Sequence, residues 1–497
     1  MEESTICALS TPAGTGGIAV IRVSGPDARK LTDKIFKGSS LQKVPSHRAV
    51  HGYILDAATG EVIDEVMALP MKGPRTFTGE DTVEISCHGG MYICRRILES
   101  LLKAGCCLAE KGEFTKRAFL NGKMDLNEAE AIMDMIGART SCSLRAALGQ
   151  LEGALSGKIS HIRHTLLDLL VQMEVNIDYP EYDVPEITDQ QVFETLRQVK
   201  AETDGLLKSA DSGQMLRLGI AAALVGSPNV GKSTILNLML GRQRAIVTEI
   251  PGTTRDVLEE MLDLDGIPVR LMDTAGIRST EDVVEKIGVE RSLASMEACD
   301  LVLWVLDASL LKSKGSAVFP DEEEQALWKK ICLRPHLLLI NKKDLLQGEG
   351  KDLLSSLAAS LSSLVSSRSL EDGDETAFAA PDPDEILNSM VLLSAKEEER
   401  DPQHQEGLQE ISGKIREMFF SGDMLDPGKP LVTNARQKEA LIRAGEALDR
   451  ALQGEGMPQD LLSIDIRDAF EALGEVNGTS AGEEIVTEIF SRFCLGK

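Results

Sequence analysis

The stretch Ala221–Thr234, AAALVGSPNVGKST, constrains the fold of this chain more than any other. Its apolar start predicts a buried strand, and the residues that follow it predict a helix. Between the two lies Gly226-x-x-x-x-Gly231-Lys232-Ser233, and a strand, a glycine-rich loop and a helix in this order form a phosphate-binding loop. Backbone N–H groups surround a phosphate, the lysine reaches the terminal phosphates, and the serine hydroxyl can ligate Mg²⁺. The alternative is a chance glycine-rich turn before a helix.

The bulk composition predicts a multidomain chain. The 497 residues are 42% hydrophobic and 27% charged, so we expect two to four domains with ordinary cores. The sequence has no apolar run of 18 residues and no signal or transit pattern at its start, so we expect no membrane span. The nine cysteines are scattered without a C-x-x-C pair. That pattern favours neither disulfides nor zinc and fits a reducing cytoplasm.

The charge of the chain bears on its partners. The formal net charge is -26, so the chain lacks the broad basic field that dominates nucleic-acid affinity. If the protein handles RNA, it needs a local basic patch or a basic partner. The simpler interpretation of the acidity is solubility.

Changes of pattern divide the chain into four segments. Residues 1–118 predict a mixed α/β domain with strands of alternating polarity. Residues 119–215 and 421–497 carry apolar residues at helical spacing, whereas residues 216–420 alternate strands and helices and predict a doubly wound α/β domain. The simplest architecture is therefore a helical bundle with an inserted nucleotide domain. Within that domain, residues 345–390 are acidic and Ser-rich and are interrupted by Gly373 and Pro381-Asp382-Pro383. They predict a short helix over Leu353–Val365 in an otherwise solvated insertion.

Three later motifs each follow a predicted strand of the inserted domain. Asp273-Thr274-Ala275-Gly276 occupies the place of the Mg²⁺-linked aspartate and the γ-phosphate-sensing glycine. In Asn341-Lys342-Lys343-Asp344 the aspartate can accept bonds from the N1–H and 2-amino groups of guanine, which adenine lacks. Ser394-Ala395-Lys396 is placed to contact the guanine O6 through backbone N–H groups. Together with the glycine-rich loop, these motifs predict a GTPase domain.

The hydrolytic machinery departs from the Ras pattern. The position of the water-orienting glutamine is occupied by Ile277, and no side chain is an obvious arginine finger, although Arg255 and Arg278 are near the site. Asn229, together with carbonyls of residues 248–254, could cage a monovalent cation in place of a guanidinium. Thr254 would then be the Mg²⁺-binding switch threonine. Alternatively, Asn229 only shapes the loop.

Several longer motifs resemble the MnmE (TrmE) family of tRNA modification GTPases, in the TrmE-Era-EngA-like superfamily, along nearly the full chain. They are Ala13–Ile18 with Arg22–Gly25, Phe77–Asp81, His88–Gly90, Gly112–Lys123, Gly252–Asp256 and the terminal Phe493–Lys497. The resemblance implies an N-terminal α+β tetrahydrofolate-binding and dimerisation domain (1–118). It also implies a discontinuous helical bundle (119–215 and 421–497, ending in the C-L-G-K motif) and an inserted Ras-like P-loop G domain (216–420).

The resemblance also implies an activity. Members of the family are homodimeric GTPases activated by potassium. With the FAD-containing flavoprotein MnmG (GidA), they modify C5 of the wobble uridine (position 34) of certain tRNAs. The product carries an aminomethyl or carboxymethylaminomethyl group, and the one-carbon unit comes from 5-formyl- or methylene-tetrahydrofolate.

The motif match carries family roles onto individual residues. Arg22, Glu84, Lys123 and Lys497 would hold the folate; Asn229, Thr248, Ile250 and Thr253 would contact K⁺; Ser233 and Thr254 would hold Mg²⁺. Glu285 matches the catalytic glutamate, and Cys494 is a candidate for the uridine chemistry. Without the resemblance, Glu285 is a surface acid, and Cys494 is equally well a packed bystander. The expected GTP contacts are Asn229, Val230, Gly231, Lys232, Ser233, Thr234, Thr248, Glu249, Ile250, Pro251, Gly252, Thr253, Thr254, Asp273, Thr274, Ala275, Gly276, Asn341, Lys342, Asp344, Ser394, Ala395 and Lys396.

Two other functions stay open at the level of sequence. One is an Era- or Der-like GTPase that acts as a ribosome-assembly switch, with flanking domains that only bind RNA. The Arg22 region and the terminal C-L-G-K motif argue against it. The other is a folate-binding regulatory protein whose GTPase is a sensor and which leaves the wobble base unchanged.

Overall fold

The computed structural model describes residues 4–178, 188–241, 260–272, 299–313, 322–346, 350–366, 381–401, 404–420, 428–480, 482–493 and 496. The chain divides into two compact units. The first comprises Met1–Met133, Gln150–Asp204 and Glu439–Lys497, and the second comprises Asp134–Gly149 and Gly205–Lys438. Across the residues described, none of the helices combines the length and the apolar character needed to span a bilayer.

The first unit contains a seven-stranded sheet. In chain order its strands are Ile6–Leu9 (β1), Ala19–Ser24 (β2), Phe36–Gly38 (β3), Val50–Leu55 (β4), Val62–Met71 (β5), Thr82–Cys87 (β6) and Cys107–Leu108 (β7). In space the order is β3-β4-β5-β6-β2-β1-β7, antiparallel except for the β1–β7 pair. Strand β2 alternates, so Ile21 and Val23 are buried in the core while Arg22 lies on the opposite face.

Two helices cover the apolar face of this sheet, Ala28–Ile35 (α1) and Met91–Ala104 (α2). Ile97 and Leu101 of α2 are fully buried against the strands. Gly105 ends α2 in the left-handed conformation (φ 117°), which a glycine adopts without strain. The predicted α+β fold of the N-terminal segment is thereby confirmed.

The remaining helices outside the second sheet are Glu113–Leu120 (α3), Leu126–Gly137 (α4), Ser141–Leu151 (α5), Ala154–Asp178 (α6), Asp189–Lys208 (α7), Ala435–Gln453 (α16), Gln459–Asn477 (α17) and Glu483–Ser491 (α18). Leu155, Ile159, Ile162 and Leu166 recur at helical spacing in α6 and are fully buried, as their pattern predicts. Helices α5 and α6 are separated at Gly153, whose φ of 81° interrupts the helical backbone before α6 begins.

The second unit is built on a six-stranded sheet. Its strands are Ile220–Val225 (β8), Glu260–Leu264 (β9), Ile267–Met272 (β10), Leu301–Asp307 (β11), His336–Asn341 (β12) and Met390–Leu392 (β13). They lie in the order β13-β12-β11-β8-β10-β9, and only β9 is antiparallel to its neighbour. Every residue of β8 and β11 is buried, as expected for central parallel strands covered on both faces. The doubly wound fold predicted for this segment is confirmed.

Helices cover both faces of this sheet. They are Ala210–Leu218 (α8), Lys232–Gly241 (α9), Ala308–Ser313 (α10), Glu322–Ile331 (α11), Gly350–Ser366 (α12), Pro383–Asn388 (α13), Ala395–Arg400 (α14) and Glu406–Phe419 (α15), with a 3₁₀ turn at Lys343–Leu345.

The short helix predicted within residues 345–390 is present as α12, and a further part of that segment, predicted to be solvated, also belongs to the core. Helix α12 buries Leu357 and Leu361, and α13 buries Ile386, in one cluster with Trp328. The prediction of a solvated segment is wrong for α13, because Asp382 and Pro383 start a helix there and do not interrupt regular structure. The Asp382 carboxylate accepts a bond from the Asp384 N–H at 3.0 Å and caps α13, and Pro383 occupies its first turn.

Candidate nucleotide-binding site

The glycine-rich loop follows the central strand β8 and leads directly into α9. Gly226 (φ 148°) and Gly231 (φ 99°) adopt conformations that other residues rarely tolerate. A Cβ at Gly231 would collide with the side-chain amide of Asn341, and one at Gly226 would collide with the carbonyl of Val305. Asn229 also has a positive φ, 63°, and its side chain is exposed. The loop therefore requires glycine at both of its ends and accepts asparagine between them.

Lys232 begins α9 and its side chain turns back across this loop. Its Nζ donates to the carbonyls of Gly226 (2.5 Å) and Ser227 (2.9 Å). Burial lowers the pKa of Lys232, since a charged ammonium is costly away from water. Ser233 and Thr234 follow in the first turn of the helix. The ammonium thus lies inside the loop, where a P-loop protein binds phosphates.

Asn341, at the carboxyl end of β12, connects three elements of the site. Its Nδ2 donates to the Val230 carbonyl (3.0 Å), and its Oδ1 accepts from the Ala395 N–H (3.1 Å). Only 4% of the residue is exposed. This amide therefore fixes the glycine-rich loop against the start of α14.

Asp344 lies at the guanine end predicted from the sequence. Its Oδ1 accepts a hydrogen bond from the Ser394 hydroxyl at 2.7 Å, and the residue itself is exposed. The Lys343 N–H donates to the Leu393 carbonyl at 3.1 Å, which holds the two loops together. One carboxylate oxygen of Asp344 is thereby oriented while the group stays accessible to a ligand. Lys396, also predicted here, is exposed in the first turn of α14.

Asp307 is a site residue that the sequence analysis missed. It ends β11, its side chain is 6% exposed, and its Oδ2 accepts from Lys342 Nζ at 2.6 Å. Lys342 also donates to the Asn229 carbonyl at 3.2 Å. Burial alone would raise the pKa of Asp307, but hydrogen bonds from Lys342 and Ser309 outweigh burial and lower it. The sequence signal for this site residue is an acidic side chain at the end of the otherwise fully apolar strand β11.

Several predicted residues lie outside the described part of the chain. They are Thr248, Glu249, Ile250, Pro251, Gly252, Thr253, Thr254, Asp273, Thr274, Ala275, Gly276, Glu285, Cys494 and Lys497.

A second group of predicted residues meets on the N-terminal sheet. Arg22 on β2 and Glu84 on β6 are directly paired in register, and Arg22 Nη2 lies 2.8 Å from Glu84 Oε1. The guanidinium carbon of Arg22 lies 5.1 Å from the ring centre of Phe77 and 5.6 Å from that of Phe114. This arrangement combines a cation, a carboxylate and aromatic faces.

Lys123 and Gly496 make hydrogen bonds close to the same sheet. Lys123 Nζ donates to the Pro74 carbonyl at 3.0 Å, three residues before Phe77. Ser10, just after β1, donates its hydroxyl to the Gly496 carbonyl at 3.1 Å. Gly496 has a φ of 89°, and a Cβ there would collide with the Leu9 carbonyl. The penultimate residue of the chain is therefore held at the end of β1, the neighbour of the strand that carries Arg22.

The strand order, the strained glycine-rich loop and the N-K-x-D aspartate beside Ser394 define a P-loop protein of the guanine-nucleotide-binding class. The family model of the MnmE helical domain matches residues 126–494, and that of the GTP-binding protein TrmE N-terminus matches residues 5–123. The chain belongs to the MnmE family of tRNA modification GTPases, as its motifs predict.

Full-length relatives agree with this assignment. The tRNA modification GTPase MnmE of Ligilactobacillus salivarius is 44% identical over 499 residues, covering 100% of this chain and 98% of the relative. That of Lactobacillus delbrueckii subsp. bulgaricus is 43% identical, covering 100% and 99%. Among solved structures, the FeoB G-domain from Methanococcus jannaschii is 24% identical over 40% of this chain and 97% of its own, with a TM-score of 0.22, which adds nothing to the assignment.

Proposed function

We propose that this chain is a potassium-activated GTPase that works with the flavoprotein MnmG on tRNA. The pair would add an aminomethyl or carboxymethylaminomethyl group at C5 of the wobble uridine (position 34), using a one-carbon unit from a reduced folate. The single observation that carries the folate part is the pairing of Arg22 with Glu84 beside the docked Gly496.

In the nucleotide site, Ser233 and Thr254 would hold Mg²⁺, which neutralises charge on the phosphates. Asn229, Thr248, Ile250 and Thr253 would hold K⁺. Asn229 fits this role because its side chain is exposed on the loop while its own carbonyl accepts from Lys342. Carbonyl and amide oxygens are suitable ligands for a hard cation. Glu285 would steer the attacking water.

In the N-terminal site, Arg22, Glu84, Lys123 and Lys497 would hold the folate. Glu84 can accept hydrogen bonds from pterin amines, and the guanidinium and ammonium groups suit its carbonyl oxygens or glutamate tail. Phe77 and Phe114 add flat apolar surface next to Arg22. The folate supplies the one-carbon unit. Cys494, two residues before the docked Gly496, is our candidate for contact with the uridine.

We further propose a cytoplasmic homodimer that associates through residues 1–118. In this scheme residues 119–215 and 421–497 form the helical domain, residues 216–420 form the G domain, and the FAD is bound by MnmG.

Calorimetric titration with 5-formyl-tetrahydrofolate tests the folate site. We expect Arg22→Ala and Glu84→Gln to weaken binding roughly ten-fold or more, because each removes a charged group that would hydrogen-bond the folate. Arg95→Ala is the matched control, since Arg95 is an exposed arginine of the same domain that pairs with Glu99. Far-UV circular dichroism of each variant checks that the chain is folded. If the unaltered protein does not bind the folate, the Era- or Der-like alternative regains support.

Analysis of tRNA from a deletion strain separates modification from sensing. We expect the wobble uridine to lack its C5 group without the gene and to regain it with the unaltered gene. An unchanged base would instead support a folate-responsive regulator.

A further inference from the structure

Two neighbouring loop segments of the N-terminal unit carry basic side chains and no acidic ones. One lies before β4, and the other is the part of the loop after β5 that precedes Glu80 and Asp81. The sequence has no Asp or Glu between residues 34 and 55, nor between residues 66 and 79. The side chains that define this basic surface are Lys43, Arg48, Lys72 and Arg75, and all four are exposed. The chain has a net charge of -26. A surface segment with several basic side chains and no acidic ones is therefore a local exception to its overall acidity.

Hydrogen bonds hold the two loops side by side. The His47 N–H donates to the Pro70 carbonyl (2.9 Å), and the Lys72 N–H donates to the Ser46 hydroxyl oxygen (2.8 Å). Arg29 of α1 fixes the start of the first loop by donating to the carbonyls of Leu41 and Val44. The surface is therefore preformed, and a ligand does not have to order it on binding.

The charges of the basic surface are not neutralised within the protein. Across the described residues, none of its four side chains makes an ion pair or a side-chain hydrogen bond. Asp33 and Asp81 are close in sequence or space, but their carboxylates accept from the backbone N–H groups of Leu41 (2.6 Å) and Gly73 (3.0 Å). By contrast, Arg450 of the same unit pairs with an aspartate at 2.7 Å.

The basic surface adjoins the proposed folate residues. The loop with Lys72 and Arg75 continues through Pro74, whose carbonyl accepts from Lys123, to Phe77, whose ring lies against Arg22. A polyanion lying on this surface would therefore pass beside the Arg22–Glu84 pair.

We propose that the basic surface binds the phosphate backbone of tRNA and presents the tRNA to the Arg22–Glu84 site. This inference rests on the proposed function, since it takes tRNA as the substrate. Unpaired, exposed Lys and Arg side chains on a preformed surface suit phosphates, which give affinity without reading base sequence.

The test measures binding of a labelled tRNA transcript with uridine at position 34 by fluorescence anisotropy, with the full chain and MnmG, between 50 and 300 mM KCl. We expect Arg48→Glu/Arg75→Glu to weaken binding roughly ten-fold or more and to flatten the slope of log K against log salt by about 1.5, as for two lost phosphate contacts. The same double variant should lose as much affinity for a transcript with cytidine at position 34, because phosphate contacts do not read the base. The matched control is Lys208→Glu/Lys330→Glu, which changes the net charge identically at exposed positions of α7 and α11.

Each outcome decides between the two proposals. If the unaltered protein with MnmG binds no tRNA, the proposed function fails. If it binds tRNA and the two double variants behave alike, the basic surface is wrong and the proposed function stands. Loss of MnmG binding by Arg48→Glu/Arg75→Glu, with tRNA binding intact, would show that the surface serves a protein partner and would also overturn the inference. Unchanged far-UV circular dichroism checks that the variants are folded.

Discussion

The ammonium of Lys342 lies 2.6 Å from the carboxylate of Asp307. Asp307 is the last residue of β11, and Lys342 directly follows the neighbouring parallel strand β12. The same ammonium also donates to the carbonyl of Asn229 in the glycine-rich loop. Asp307 therefore positions the lysine of the N-K-x-D motif against the loop that receives the phosphates. We therefore predict that Asp307 is a positioning residue for the nucleotide.

Replacing Asp307 should weaken nucleotide binding. In Asp307→Asn the lysine loses its buried anionic partner, and a hydrogen bond to a charged group contributes about 1.5–3 kcal/mol. We expect GDP affinity, measured with a fluorescent analogue, to fall by about ten-fold or more. Ser309→Ala is the control, because it removes one donor to Asp307 (2.6 Å) but keeps the ion pair. Equal affinities for Asp307→Asn and the unaltered chain would contradict the positioning role.

Base specificity should depend on Asp344. Its carboxylate is oriented by the Ser394 hydroxyl (2.7 Å) and can accept both guanine donors. In Asp344→Asn, one acceptor becomes an N–H donor that suits the 2-carbonyl of xanthine. We expect turnover to shift from GTP toward XTP, with the ratio of the two kcat/KM values changing by roughly a hundred-fold or more. Asp352→Asn, an exposed aspartate of α12, should keep the preference for GTP. An unchanged preference in Asp344→Asn would place the guanine contact elsewhere.

The sequence was sufficient for the parts of the site that depend on local spacing. Gly226, Gly231 and Asn341 could be placed because a glycine-rich loop and a motif at a strand end are contiguous in sequence. Asp307 could not be placed from the sequence, because its role depends on the pairing of β11 with β12, two strands that are far apart in sequence. Pro383 looked like a chain breaker, yet Asp382 makes it a helix start.

The G-domain core should lose stability in mild acid. His336 Nδ1 bonds to the Arg334 carbonyl at 2.8 Å and so carries the proton, whereas the buried Nε2 has no hydrogen-bond partner among the described residues. Burial lowers the pKa of His336. At pH values between the lowered pKa of His336 in the folded chain and about 6.5, the unfolded chain binds a proton more readily than the folded chain does. This contribution to the free energy of unfolding is therefore complete above about pH 6.5 and falls as the pH drops below it, by at most about 1.4 kcal/mol per pH unit.

Urea unfolding at pH 7.5 and 5.5, followed by tryptophan fluorescence, measures this effect. The chain has two tryptophans, Trp304 and Trp328, stacked 5.6 Å apart beside His336. His336→Phe should show a smaller loss of stability between the two pH values. If its loss equals that of the unaltered chain, other groups cause the acid sensitivity.

The docked C-terminus should be sensitive to a single methyl group. Gly496→Ala cannot keep its φ of 89° beside the Leu9 carbonyl without strain. We expect folate binding and tRNA modification to be lost while GTP turnover is retained. Gly482→Ala is the control, since that glycine has no described atom within 4 Å of the added methyl and no positive φ. Normal folate binding by Gly496→Ala would show that the docked tail does not contribute to the site.

The central claim is tested most directly by GTP turnover in potassium against sodium at equal ionic strength. The unaltered chain should turn over roughly ten-fold or more faster in potassium, because the proposed cation would take the place of an arginine finger. Asn229→Gly keeps the φ of 63° while removing the side-chain oxygen, and should lose that stimulation. Pro228→Ala, at the neighbouring exposed position, should keep it. Equal turnover by the unaltered chain in both salts would contradict the account and leave Arg255 or Arg278 to supply the charge.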